Sequence, residues 1–427
     1  MRSHYKCIGD YVTQVKLKNT DGSISSLKGI NINKHFMPSV ANINGTDLSA
    51  YRVVKKNQFA FNPMHVGRDE VLPISILEEN EPVIVSPAYV VFEVKDEEEL
   101  LPAYLMMWCS RSEFDRNAWF TTDNSVRGGF SWADFCDMEL PIPAIEKQRE
   151  IVREYNVVND RIALNEQLTK KLEDTAQAIY KQWFVDFEFP ISKEYAESIG
   201  KPELEGKPYK SSGGEMVYCE ELAEDIPKDF KYSNLGELID YKKGNAFKSS
   251  DYIEEGIKIV KVSNFKGRTV DGNNCQCIEA SRAEEFEQYR LIQGDILIST
   301  VGSWPSNPAS IVGQVVKIPK NMYGTLLNQN VVKLRSKNEN FQNQLMLCLS
   351  RKEFSDYVIS GAQGSANQAS VTLEHLFSYE VTQGDSSTDL KFSCLVNSLD
   401  EHRSNLEEET IHLTVTKNIL LKRLAKV

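Results

Sequence analysis

The sequence predicts an α+β protein: two α/β heads joined and spaced by two long helices that pair as an antiparallel coiled coil. Three observations predict this. The chain repeats itself at an offset of 240 residues, each copy ends in a stretch with coiled-coil periodicity, and a Pro- and Gly-containing acidic segment separates the copies. The repeat is clearest where Leu105-Met106-Met107-Trp108-Cys109-Ser110-Arg111-Ser112-Glu113-Phe114 returns as Leu345-Met346-Leu347-Cys348-Leu349-Ser350-Arg351-Lys352-Glu353-Phe354. Within about two residues of the same offset, Tyr51-Arg52-Val53-Val54 returns as Tyr289-Arg290-Leu291-Ile292. A period this long exceeds every solenoid or propeller repeat, so each copy is expected to be a globular head followed by a helix.

The first head is expected over 1–144. Pro82-Val83-Ile84-Val85-Ser86 and Tyr89-Val90-Val91-Phe92-Glu93-Val94 have the short apolar runs of strands. Residues 97–109 place Leu100, Leu101, Tyr104, Leu105 and Trp108 on one helical face. Pro141-Ile142-Pro143 closes the head, because two prolines do not fit a regular element.

A first spacer helix is expected over 145–190. Alternate steps of four and three from Ile151 reach Tyr155, Val158, Ile162, Asn165, Thr169, Leu172, Ala176, Ile179 and Trp183, a heptad seam. Residues 151–184 would form a rod of roughly 50 Å at ~1.5 Å per residue. Residues 191–229 follow as a flexible connector, with Lys201-Pro202, Lys207-Pro208 and Ser211-Ser212-Gly213-Gly214. The second head, 230–384, carries strand-like Ile257-Lys258-Ile259-Val260-Lys261-Val262, Asp295-Ile296-Leu297-Ile298-Ser299 and Asn330-Val331-Val332-Lys333-Leu334.

The second spacer helix, 385–427, has a seam read as Phe392, Leu395, Leu399, His402, Leu406, Glu409, Leu413, Thr416 and Leu420, with Asn405 at the repeat offset from Asn165. Its entry, Asp385-Ser386-Ser387-Thr388, has no Pro-Ile-Pro, so a poorly fixed start is expected. Each rod alone exposes an apolar stripe. Mutual burial is the economical solution, through Val158, Ile162, Asn165, Leu172 and Ile179 on one helix and Leu399, Leu406, Leu413 and Leu420 on the other. Antiparallel pairing would then put the heads at opposite ends of one spacer.

At 427 residues each copy can bury its own core. No apolar run approaches the length of a bilayer span, and Met1-Arg2-Ser3-His4-Tyr5-Lys6 leads into polar sequence, so a cytoplasmic protein with no membrane partner is expected. The eight cysteines are scattered; Cys275 and Cys277 lack the second pair that a zinc site needs, so no metal is expected. The net charge of −12 is unevenly spread. Residues 191–230 hold 5 Lys+Arg against 10 Asp+Glu, whereas 231–384 hold 17 against 16. The second head is thus the least acidic large piece. A nucleic-acid binder with this balance must gather its cations on one face or borrow charge from a partner.

Catalytic patterns are incomplete. Asn62-Pro63-Met64-His65 approaches the [DN]-P-P-[YF] loop of an adenine methyltransferase but lacks the second proline and the aromatic. Glu93-Val94-Lys95 with Asp69 could suggest a metal-dependent nuclease, yet the second copy has no equivalent. Walker, paired-histidine and Gly-x-Ser-x-Gly motifs are missing. A binder with no catalytic residue and no cofactor of its own is the favoured reading. A stand-alone methyltransferase or nuclease and a protein scaffold remain alternatives.

Loops rich in Gln, Asn and Ser offer both donors and acceptors to base edges. Gly302-Ser303-Trp304-Pro305-Ser306-Asn307 follows a strand, and Gln363, Ser365, Asn367 and Gln368 lie in a second such loop. Basic stretches with aromatics add Lys242, Lys243 and Lys248 beside Phe247, and Lys261, Asn264 and Lys266 beside Phe265. In the first head the DNA-contact candidates are Lys16, Asn62, Met64, His65, Arg68 and Arg127, with Lys18, Lys55 and Lys56 as further cations.

Together these features resemble the specificity subunit of type I restriction-modification enzymes over nearly the whole chain. The residues carrying the resemblance are Glu139-Leu140-Pro141-Ile142-Pro143 with Gln148-Arg149-Glu150-Ile151, and the rod end Ala178-Ile179-Tyr180-Lys181-Gln182-Trp183-Phe184. Ile226-Pro227-Lys228 with Leu235-Gly236, and Gly294-Asp295-Ile296-Leu297-Ile298-Ser299 with Leu327-Asn328-Gln329-Asn330, extend it. The resemblance implies that each head is a target-recognition domain reading one half of a bipartite double-stranded DNA site. It also implies that the helices act as a ruler and dock two modification subunits, which carry S-adenosylmethionine and flip the adenine for N6 methylation. Restriction subunits, with ATP and Mg, would join that core in host defence near a prokaryotic nucleoid. The terminal repeat lacks the first junction's motif, which leaves the ruler length open.

Overall fold

The computed structural model describes residues 5–39, 46–64, 66–122, 129–305, 311–365 and 368–426. The chain divides into two compact units, Met1–Asn165 with Glu409–Val427, and Glu166–Glu408. Each is therefore a head together with stretches of both long helices.

In the first unit a four-stranded antiparallel sheet runs in the order Val12–Val15, Val90–Val94, Phe59–Phe61, Ile74–Ile76. Side chains alternate across a strand, and both faces are covered. Phe59, Phe61 and Phe92 enter one apolar cluster with Tyr104, Leu105 and Phe135. Ala60 and Val91 enter another with Val54 and Val85. Phe59 and Phe92 stack at 4.8 Å across the strand pair. Helices Pro102–Cys109 and Ser112–Thr121 cover the aromatic face. The expected helix over 97–109 thus starts five residues late. Pro102 occupies its first turn and Leu101 is extended, as steric conflict with the proline ring requires.

The second unit repeats this plan. Its sheet orders Ile239–Lys243, Val331–Ser336, Ile296–Ser299 and Val315–Lys317 in the same antiparallel way. Helices Gln342–Leu349 and Lys352–Gly361 have the same 8- and 10-residue lengths as their counterparts. In each head a short antiparallel pair closes the domain, Tyr5–Cys7 with Glu139–Pro141 and Lys231–Asn234 with Glu380–Gln383. The repeated Ser-Arg-x-Glu-Phe is structural. Arg111 lies 4.2 Å over Trp108 and 3.4 Å from Glu113, Arg351 bonds Glu353 at 2.7 Å, and Phe114 and Phe354 are buried.

The first long helix is Ile145–Phe184, 40 residues and so about 60 Å. The second is Ser386–Arg423. Within the first unit Arg161 forks onto Glu409 with two 2.9 Å bonds, and Lys417 lies over Tyr155. Within the second unit Glu173 meets Arg403, and Phe184 packs on Phe392. Ascending numbers on one helix meet descending numbers on the other, so in both units the pairing is antiparallel. Along the first helix Tyr155, Asn165, Ala176 and Trp183 are buried and Val158, Ile162, Leu172 and Ile179 half-buried, the face expected from the heptad count.

The second seam differs. Leu395, His402 and Thr416 are exposed; the inward positions are Phe392, Val396, Leu399, Arg403, Leu406, Thr410, Leu413, Lys417 and Leu420. Pattern reading missed the alternate positions because Arg403 and Lys417 present their stems to the seam while ionic or ring partners satisfy their charge. The poorly fixed entry is also corrected. Asp385 caps the helix, accepting from the Ser387 and Thr388 amides at 2.8 and 3.0 Å and from the Thr388 hydroxyl at 2.7 Å.

The connector expected to be flexible is folded. Helix Lys193–Ser198 and the hairpin Met216–Cys219 with Glu224–Pro227 occupy it. Phe187, Phe189, Ile191, Ala196 and Tyr209 are buried with Trp183, Phe230 and Phe392. Phe189 stacks between Tyr209 and Phe230 at 4.5 and 5.0 Å. Its prolines and glycines shape turns, while its aromatics supply the core that the composition reading overlooked.

Candidate nucleic-acid interface

In the second head the two polar loops converge on one small sheet. Val301–Gly302 pairs with Gln368–Ser370, which pairs in turn with Gln363–Ser365. The indole N–H of half-buried Trp304 donates to the Ser365 carbonyl at 2.8 Å, tying the loops together. Gln363, Ser365 and Gln368 are exposed, and Ser303 is buried. The alternation of the hairpin leaves the amides outside and Ala369 in the core. A backbone bond fixes this arrangement, from the Val371 amide to the Thr300 carbonyl at 3.0 Å.

The first head carries the matching bond, from the Phe130 amide to the Pro63 carbonyl at 2.9 Å. The loop after its central strand therefore also meets the segment that follows its second helix. Asn62 Oδ1 accepts from the Met64 amide at 3.0 Å, so this side chain shapes a turn and is not presented as an amine-holding loop. Met64 is exposed, and so is Lys16. His65, Arg127, Asn367 and the side chain of Arg68 lie outside the described residues. Sequence reasoning missed Trp119 and Phe120, 39% and 85% exposed at the end of Ser112–Thr121. The repeat could have found them, since they sit where the second copy leads into its Gln-rich hairpin.

The basic candidates divide. Lys243, Lys248 and Lys266 are exposed. Lys242 is committed to Gln288 at 2.7 Å and lies over the Tyr289 ring, and Lys261 bonds the Tyr252 hydroxyl and Gln276. Asn264, expected at the interface, is buried: its Oδ1 accepts from the Lys261 amide and its amino group donates to the Asn274 carbonyl. It holds the turn that presents Lys266.

Groups suspected of chemistry are structurally occupied. Glu93 accepts from Gln58, and Lys95 donates to the Gly9 and Asp10 carbonyls. No cluster of three or more His, Cys, Asp or Glu suited to a metal occurs among the described residues. Burial pushes the Cys275 and Cys348 thiols up to about 11, which favours the protonated thiol over the nucleophilic thiolate. No described helix is long and apolar enough to cross a membrane.

Comparison with known proteins bears on what such a site serves. Residues 227–381 match the family described as the type I restriction modification DNA specificity domain. The HindI type I specificity subunit of Haemophilus influenzae is 27% identical over 172 residues, covering 39% of this chain and 36% of that protein. The MjaVIII specificity subunit of Methanocaldococcus jannaschii is 23% identical over 223 residues, 52% of this chain and 45% of that protein. The chain thus spans less than half the length of these curated relatives. The crystal structure of a type I restriction-modification S subunit from M. genitalium superposes with a TM-score of 0.52 at 14% identity, covering 98% of this chain and 95% of that one. At that identity the likeness concerns the fold.

Proposed function

We propose that the chain, whose residues 227–381 match the type I restriction modification DNA specificity domain, is the sequence-reading subunit of such a system. Each head reads one half of a split double-stranded DNA site, and the antiparallel helices set the number of unread base pairs between the halves. The observation that carries this reading is the duplicated loop pair at the end of each head, exposed and amide-rich in the second copy. Gln363 and Gln368 offer the paired donor and acceptor that bracket adenine in the major groove, and Lys243, Lys248 and Lys266 supply phosphate contacts.

Methylation and cleavage belong to partner subunits in this reading, with S-adenosylmethionine held by two modification subunits and ATP and Mg by restriction subunits. Exposed apolar stripes on the long helices favour docking of such partners: Val157 and Leu164 on the first, Ile411, Val415 and Ile419 on the second. The test is to co-express the chain with a modification subunit and map N6-methyladenine genome-wide. A split motif with one gap is expected. Gln363→Ala with Gln368→Ala should relax one half-site, each lost bidentate pair being worth about 1–3 kcal/mol of discrimination, and leave the other half-site intact. An assembled complex that methylates no split motif would refute the proposal and favour a protein scaffold.

A further inference from the structure

The second head is held on the helix pair by a continuous polar network. Lys317, at the end of edge strand Val315–Lys317, is 16% exposed and donates to Asn343 Oδ1 at 2.8 Å and to Asp400. Asn343, on Gln342–Leu349, donates to Asn397 Oδ1 at 2.7 Å. Arg403, 12% exposed, lies 3.6 Å from Asp400 and 3.3 Å from Glu173 of the first long helix. Gln177 of that helix donates to the Leu347 carbonyl at 3.1 Å. The cavity that these groups surround is only about 30 Å³, too small for a partner's side chain, so they serve one another.

The first head is fastened differently. Buried Gln148 donates to the Glu99 and Pro143 carbonyls at 2.8 and 2.9 Å and accepts from the Leu101 amide at 2.9 Å, clamping head and helix entry together. Near the repeat-equivalent position, Asp389 reaches only the Gly384 amide of its own entry turn. The second head instead ties its closing strand to its own helix through buried Gln344, which donates to the Thr382 carbonyl at 2.9 Å, and adds the lateral network to the long helices.

We propose that the Lys317–Asp400 and Asn343–Asn397 contacts are the joint that fixes the second head's orientation on its helices, and so restrict the site to a single gap length. The inference rests on the proposed DNA-reading function. One base pair more or less moves a half-site by about 3.4 Å and turns it by roughly 35°. Apolar packing can re-form after such a displacement. Hydrogen bonds near 2.8 Å cannot follow it, since they weaken steeply with distance and angle.

The experiment uses the full chain in complex with the modification subunit and reads methylation by gap length. The double variant Lys317→Met with Asp400→Leu removes both charges, so neither is left buried and unpaired. Methylation at sites with gaps one base pair longer or shorter should rise about tenfold, which corresponds to about 1.4 kcal/mol of lost preference, with both half-sites unchanged. Asn397→Ala, at an exposed position, should give the same broadening more weakly, and decides the matter if the double variant fails to fold. A single, wild-type gap in these variants overturns the joint while leaving the DNA-reading function intact. A wild-type complex with no split motif overturns both.

Discussion

Replacing Asn165 by Leu tests whether the long helices are held in register by a polar residue at the cost of stability. Asn165 is fully buried in the seam; its amino group donates to Glu409 Oε2 at 3.0 Å, and its Oδ1 has no hydrogen-bond partner. An unpaired buried carbonyl costs about 1–3 kcal/mol, and burying leucine in its place adds apolar contact. The bond given up is to a carboxylate that Arg161 still grips twice at 2.9 Å, so its loss is small. Allowing for overpacking of about 1 kcal/mol or more, Asn165→Leu should stabilise the first unit by about 1–2 kcal/mol. That would raise its melting transition by roughly 2–4 °C per kcal/mol for a unit of this size. Asn at a seam position also penalises slipped pairings, so the gap between methylated half-sites should broaden. Calorimetry on the purified chain and methylation mapping on the complex measure the two effects. A fall in melting temperature, or an unchanged temperature with one sharp gap, would refute the reasoning.

Gln148→Ala strands three backbone groups around a buried side chain and should destabilise the first unit by about 2–4 kcal/mol, seen as loss of its transition with the second unit's unchanged. Burial pushes the Asp389 carboxyl up to about 7 despite the Gly384 amide it accepts from. A raised acid binds its proton more tightly in the folded state, so its stabilising contribution should fall as pH rises from about 4 to about 7 and stay low above. Asp389→Asn should abolish that slope in a pH series of melting curves and be more stable than wild type at pH 8 by about 2–4 kcal/mol; equal slopes would rule the carboxyl out as the source. Ile411→Glu with Val415→Glu, both at exposed positions, should change the chain's own stability by less than about 0.5 kcal/mol yet weaken co-elution with the modification subunit. Undiminished co-elution would place the docking surface elsewhere.

The duplicated plan was legible in the sequence because it rests on local, periodic signals. Leu105 to Phe114 and Leu345 to Phe354 do become matching helix pairs, and the seam from Tyr155 to Trp183 does become the inner face of a 40-residue helix. Heptad spacing and proline positions act over a few residues, so they can be read without knowing what the chain folds against. The second seam, the connector and the identity of the exposed amides were settled by tertiary contacts. Arg403 and Lys417 look like surface cations until Glu173 and Tyr155 are brought to them across the helix pair. Tyr209 looks like a residue of a loose linker, and Phe189 like the end of a spacer helix, until Phe230 supplies the third layer of their stack. Asn264 and Gln363 are alike in composition and loop context, yet one is consumed by a turn and the other faces solvent. Burial and partnering of a polar group depend on residues distant in sequence, and those the fold alone assembles.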